Sequence, residues 1–161
     1  MMAYRDLVDR VEAWLVGQEW QLNDGVTVEE RGQFLLSPSD GDAPWPLLAV
    51  VDDDEQRVLF YSVRPEDVPE AQREAVTVLL TRINYGLLVG AVEMDLDDGE
   101  VRVRTGVELG TFGLDDEDAL GSQLARALGS NLALAEAVWD AVDDVLDHGT
   151  DPHTAAQALE G

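Results

Sequence analysis

Cysteine and lysine are absent from the 161 residues of this chain, and histidine occurs only at His148 and His153. Without cysteine there are no disulfides, no thiol catalysis and no zinc site built on thiolates. Every one of the ten basic residues is an arginine. Long apolar runs are missing as well: no segment approaches the length of a membrane span, and the start carries no basic-then-apolar signal. A cytoplasmic setting is the expectation.

Basic residues are scarce: 34 acidic residues stand against 10 basic ones, a formal net charge of −24. A chain this negative repels phosphate backbones, which argues against direct binding of nucleic acid and against adsorption to an anionic membrane. A cationic protein fits better, because opposite potentials steer encounter and complement each other on contact. The same charge also serves solubility, or life in a salt-rich cytoplasm, with no partner involved.

At this length one domain is expected, over residues 1–148, large enough to bury roughly two thirds of its unfolded surface. Residues 149–161 read as a tail, partly helical or disordered. Leu7, Val11, Trp14 and Leu15 recur at helical spacing between Met2 and Gln18, with Gly17 as the stop. Short strand-like pieces follow from Trp20, broken at Asn23-Asp24-Gly25, then Phe34-Leu35-Leu36 before Pro38. Leu47 to Val51 is a continuous apolar run, and Arg57 to Val63 returns after the acidic turn Asp52-Asp53-Asp54-Glu55. These pieces make an antiparallel meander of three or four strands.

Pro69 precedes a helix over Glu70 to Tyr85, whose stripe is Val76, Leu79, Leu80 and Ile83, widened by Val78 and Leu87. A stripe so wide is buried in the core or between subunits. A last helix spans Ala119 to His148, weak at Gly129-Ser130-Asn131 and stopped by Gly149. Asp151-Pro152 starts one or two further turns, with too little apolar surface to matter to the core. The order α-β(3-4)-α-β-β-α, with helices flanking an antiparallel sheet, is an α+β pattern.

Between the last two helices lies the strongest local signal. Asp98-Gly99 is suited to a two-residue type I′ turn. Counting outward pairs Leu96 with Val101, Asp95 with Arg102, Met94 with Val103 and Glu93 with Arg104. Two carboxylates then face two guanidinium groups, each pair worth roughly 0.2–1 kcal/mol.

Residues that could carry chemistry are few. A calcium loop begun at Asp95 puts its glycine at the fifth position and Gly106 at the twelfth, so the pattern fails. His148 and His153, with Asp147 and Asp151, supply donors for a divalent metal but straddle Gly149. No nucleophile elbow, phosphate-cradling loop or dinucleotide fingerprint is present. No enzyme and no cofactor are therefore expected. The alternative is a divalent-metal sensor or small enzyme using the acidic loops or the terminal histidines. Trp14 and Trp139 sit on apolar stripes, whereas Trp45, between Pro44 and Pro46, is the tryptophan expected to face a partner.

The stretch Leu79-Leu80-Thr81-Arg82-Ile83-Asn84, followed by Gly90 through Arg104, resembles the YbjN-like family, described as bacterial sensory transduction regulators. With the helix through Ala137-Val138-Trp139, the same region is similar to the small acidic dimeric chaperones of type III secretion. The resemblance covers roughly residues 3 to 148 and supplies no enzymatic motif. It implies a protein-binding, chaperone-like fold, usually dimeric. A non-enzymatic adaptor follows as the expectation, with apolar sheet or helix surface framed by acidic residues. Its partner is expected to be basic, a nucleic-acid-handling protein being one such class. Trp45, Val76, Leu79, Leu80 and Ile83 are the expected partner or homodimer surface, beside the charge pairs of Glu93, Asp95, Arg102 and Arg104.

Overall fold

The computed structural model describes residues 6–24, 32–41, 43–110 and 115–160. Helix α1 (Leu7–Gly17) leads into β1 (Trp20–Asp24), β2 (Gln33–Pro38), β3 (Leu47–Asp52) and β4 (Arg57–Val63). One 3-10 turn (Glu70–Gln72) opens onto α2 (Arg73–Gly86), followed by β5 (Ala91–Met94) and β6 (Val101–Glu108). Helices α3 (Glu117–His148) and α4 (Pro152–Gln157) complete the chain. The six strands form one antiparallel sheet in the order β1-β2-β3-β4-β6-β5. This is the α+β order expected from the sequence, with a fourth helix added. No helix among the described residues is long and apolar enough to cross a membrane.

Helices α1, α2 and α3 pack on the same face of the sheet, and α4 packs against α2 and α3. Leu36, Leu47, Val51, Val58 and Phe60 meet Leu7, Val11 and Leu15 of α1 and Leu120, Leu124 and Leu128 of α3. Val92, Val101 and Val103 meet α2, the second half of α3, and Ala155 and Ala156 of α4. Full burial of each such aliphatic side chain is worth about 1.5–3 kcal/mol over leaving it in water. The stripe of Val76, Leu79, Leu80 and Ile83 is spent on this core. It therefore does not present a dimer or partner surface, contrary to expectation. The tail forms the helical turns expected from Asp151-Pro152, with Asp151 capping α4 through the His153 and Thr154 amides. Contrary to expectation it contributes to the core: Ala155 and Ala156 are buried against α2.

Helix α3 runs unbroken through Gly129-Ser130-Asn131. Asn131 is 0% exposed, and its carboxamide nitrogen donates to the carbonyls of Phe60 (2.9 Å) and Val103 (3.1 Å). The Ser62 hydroxyl donates to its oxygen at 2.5 Å. Occupied by the sheet, the Asn131 side chain does not compete with its own helix for backbone groups. At the far end of the helix Gly149 takes φ 62°, the left-handed stop expected there.

The β5–β6 hairpin forms, but its register is shifted by two residues from the expected one. Met94 pairs with Val101, Glu93 with Arg102, Val92 with Val103 and Ala91 with Arg104. Gly99 has φ 89° while Asp98 does not have positive φ, so a type I′ turn is ruled out. Residues 95–100 instead make a six-residue loop closed by Asp95 N–H to Glu100 C=O at 2.9 Å. Arg73 holds that loop, donating to the carbonyls of Val68, Leu96, Asp97 and Asp98 at 2.8–3.2 Å. Because the slip is even, every side chain keeps its expected face. The other proposed turn, Asn23-Asp24-Gly25, places Asn23 and Asp24 within β1, and Gly25 lies outside the described residues.

Candidate protein-interaction face

An antiparallel sheet covered on one side normally alternates apolar-in and polar-out. This sheet departs from that rule at its centre. Leu35 of β2, Leu48 and Val50 of β3, and Leu59, Tyr61 and Val63 of β4 all point away from the helices, and all are partly exposed. Cross-strand pairing groups them: Leu35 with Leu48, Leu48 with Tyr61, and Val50 with Leu59. On β6, Gly106 leaves a gap opposite Leu59, and a Cβ there would lie 2.6 Å from the Leu59 Cδ2. The leucine thus spreads across the next strand, a close approach that glycine permits. Among the described residues no element covers this patch.

Charged pairs frame it. Glu93 accepts from Arg102 Nε at 2.7 Å and from Arg104 Nε at 2.9 Å, one carboxylate bridging two guanidinium groups. Arg102 also lies over the Tyr61 ring, 4.9 Å from its centroid. Partial burial pushes the Glu93 carboxyl up, but hydrogen bonds from both arginines, with their charge, outweigh this and hold it below its ordinary value. At the other end Asp52 bonds Arg57 at 3.0 Å. The Glu55 amide and then Arg57 keep the Asp52 carboxyl low against the opposing effect of desolvation.

The residues singled out in the sequence are distributed otherwise than expected. Glu93, Arg102 and Arg104 converge on this face, whereas Asp95 lies in the loop and accepts from the Asp97 amide at 2.9 Å. Trp45 is half-buried: its Nε1 donates to Ser62 at 2.8 Å, and its ring meets Trp139 edge-on at a centroid distance of 6.1 Å. It belongs to the contact between sheet and helix and is not the free aromatic anchor foreseen. Sequence reading missed the outward set from Leu35 to Val63, although the unbroken apolar run over Leu47 to Val51 was its signal. Such a run marks a strand with two apolar faces.

The acidic loops serve local structure. Asp53 accepts from the Leu7 amide at 2.8 Å and so helps cap α1, while Asp98 accepts from the Glu100 amide at 2.8 Å. His153 Nδ1 lies 2.9 Å from an Arg82 guanidinium nitrogen, a cation where a metal would need none. Among the described residues no three His, Asp or Glu side chains are grouped as metal ligands.

Residues 7–144 match the model of a family described as "YbjN: Putative bacterial sensory transduction regulator". The chain belongs to the YbjN family. The crystal structure of YbjN, "a putative transcription regulator from E. coli", is similar at 13% identity, with 77% of this chain and 84% of that one covered and a TM-score of 0.56. YbjN family membership thus comes with a shared fold. An uncharacterized protein from Methanothermobacter thermautotrophicus is similar at 14% identity, covering 81% of this chain and 94% of that one, TM-score 0.47. The HopA1-SchA chaperone-effector complex follows at 15% identity, 75% and 86% covered, TM-score 0.39. No curated protein sequence matches the chain.

Proposed function

We propose that this YbjN-family chain is a non-enzymatic regulator that binds another protein on the open face of its sheet. The observation that carries this reading is the apolar set Leu35, Leu48, Val50, Leu59, Tyr61 and Val63, left without a covering layer among the described residues. Apolar patches rimmed by polar groups mark protein-binding surfaces. The family description as a sensory transduction regulator supports the same class of role. A net charge of −24 favours a basic partner, since long-range attraction raises the encounter rate and falls with added salt. Proteins that handle nucleic acid are one such class, and they would link the chain to nucleic acid without direct contact.

Site-specific photo-crosslinking in the native cell tests this. A photoreactive residue at Leu48 or Leu59 is expected to give discrete protein adducts, whereas one at Gln123, exposed on α3, gives none. Adducts at Leu48 are expected to be lost in a Tyr61→Asp background and to diminish as salt rises. Equal adducts from the sheet and helix positions, or none from the sheet, would refute the reading.

A further inference from the structure

Helices α2, α3 and α4 leave a hollow where they meet. It is a cleft of about 330 Å³, walled by Leu87, Leu134, Ala137, Ala156 and Leu159, with Arg82 and Glu160 as its charged members. Ala156 is buried and the other four apolar residues are half-buried, whereas Arg82 and Glu160 are exposed. The two charges therefore stand at the rim of an apolar hollow. Leu87 reaches it by turning inward from the α2–β5 connection, whose Leu88 tip is left 99% exposed.

Arg82 differs from most arginines of this chain. Arg10, Arg57, Arg64, Arg102 and Arg104 each pair with a carboxylate. Among 34 acidic residues, none described pairs with Arg82. Its one partner among the described residues is His153 Nδ1 at 2.9 Å, which accepts because a guanidinium only donates. The rest of that planar fork has the geometry to hold a carboxylate. An apolar hollow with such a group at its rim selects a ligand with an apolar body and one negative charge. A dianion would be repelled by Glu160 and by the net charge of −24, and an amine would meet Arg82 as a like charge. The volume is at the small end of ligand pockets and suits a body of about ten non-hydrogen atoms.

We propose that the cleft binds a medium-chain aliphatic monocarboxylate, its chain against Leu134 and Leu159 and its carboxylate on the Arg82 guanidinium. Because α2, α3 and α4 all supply walls, the ligand fastens α4 to the rest of the chain. The site uses no residue of the open sheet face, so it stands or falls apart from the partner-binding role.

Octanoate titrated into the full chain at neutral pH is the probe. The melting midpoint is expected to rise with octanoate concentration, with a dissociation constant below about 1 mM. Methyl resonances of Leu134 and Leu159 shift, and amide exchange at Ala155 and Ala156 slows. Hexanoate, shorter by two methylenes, binds about tenfold more weakly. Arg82→Gln weakens octanoate binding at least about tenfold, while 1-octanol, which lacks the charge, binds variant and wild type alike. Ala137→Phe fills the cleft and abolishes the methyl shifts. No rise with octanoate overturns the proposal, as does an Arg82→Gln chain that binds octanoate like wild type. Octylamine binding as tightly as octanoate overturns it by making Glu160 the anchor. Shifts confined to Leu88, or to Leu48 and Leu59, overturn it by assigning the aliphatic chain to another apolar surface.

Discussion

Asn84 stands beside Val92 as a strand neighbour would: its carboxamide oxygen accepts the Val92 N–H at 2.8 Å and its nitrogen donates to the Val92 carbonyl at 2.8 Å. Strand β5 is the outer edge of the sheet, and one side chain from the end of α2 occupies the backbone groups that a further strand would seek. Asn84→Ala frees both. The variant is expected to lose about 1–2 kcal/mol and to exchange the Val92 amide proton at least about tenfold faster. Unchanged exchange at Val92 would show that the edge is protected by something else.

The Glu93 bridge sets a pH dependence. The carboxyl is held below its ordinary value of 4.5 in the folded chain, so its contribution is fully present above the unfolded value and fades as pH falls through the folded one. At neutral pH Glu93→Gln is expected to cost about 1 kcal/mol, as befits a partly exposed pair. The gap between variant and wild type in urea melts closes as acid protonates the wild-type carboxyl. A gap that persists at low pH would place the loss in packing and not in charge.

Arg73 is the structural key of the hairpin loop, with four backbone carbonyls on one guanidinium. Lysine keeps the charge but offers a point donor in place of the planar fork. Arg73→Lys is expected to cost about 1–2 kcal/mol and to speed amide exchange across residues 95–100, leaving that of α3 unchanged.

Removal of residues 150–161 strips α4 from α2 and uncovers part of the stripe that Ala155 and Ala156 close. The truncated chain is expected to fold with about 2 kcal/mol less stability and to show a lower melting midpoint by differential scanning calorimetry. A midpoint equal to that of the full chain would return the segment to the status of a dispensable tail.

Much of the fold was legible because its signals are local. Apolar residues at helical spacing mark α1 and α2 (Val76, Leu79, Leu80 and Ile83 for the latter), Asp151-Pro152 marks the start of α4, and Gly149 marks the end of α3. The weak point at Gly129-Ser130-Asn131 does not interrupt α3, because Asn131 is a poor helix residue only while its side chain lacks distant partners. Sheet carbonyls from Phe60 and Val103 supply them. Trp45 misled: its flanking prolines say loop, but nothing nearby in sequence says that Ser62 and Trp139 await it.

The amino-acid sequence by itself determined the order of elements, the inward and outward alternation of the hairpin, and the excess of negative charge. These depend on residue type and spacing along a few turns or strand steps. Tertiary structure alone decided the hairpin register, since Arg73 draws residues 96–98 into a wide loop where Asp98-Gly99 would have made a tight one. It also decided which apolar residues remain for contact. The helices can cover only one face of the sheet, so Val76, Leu79, Leu80 and Ile83 are buried while Leu48, Tyr61 and the Leu88 tip stay at the surface.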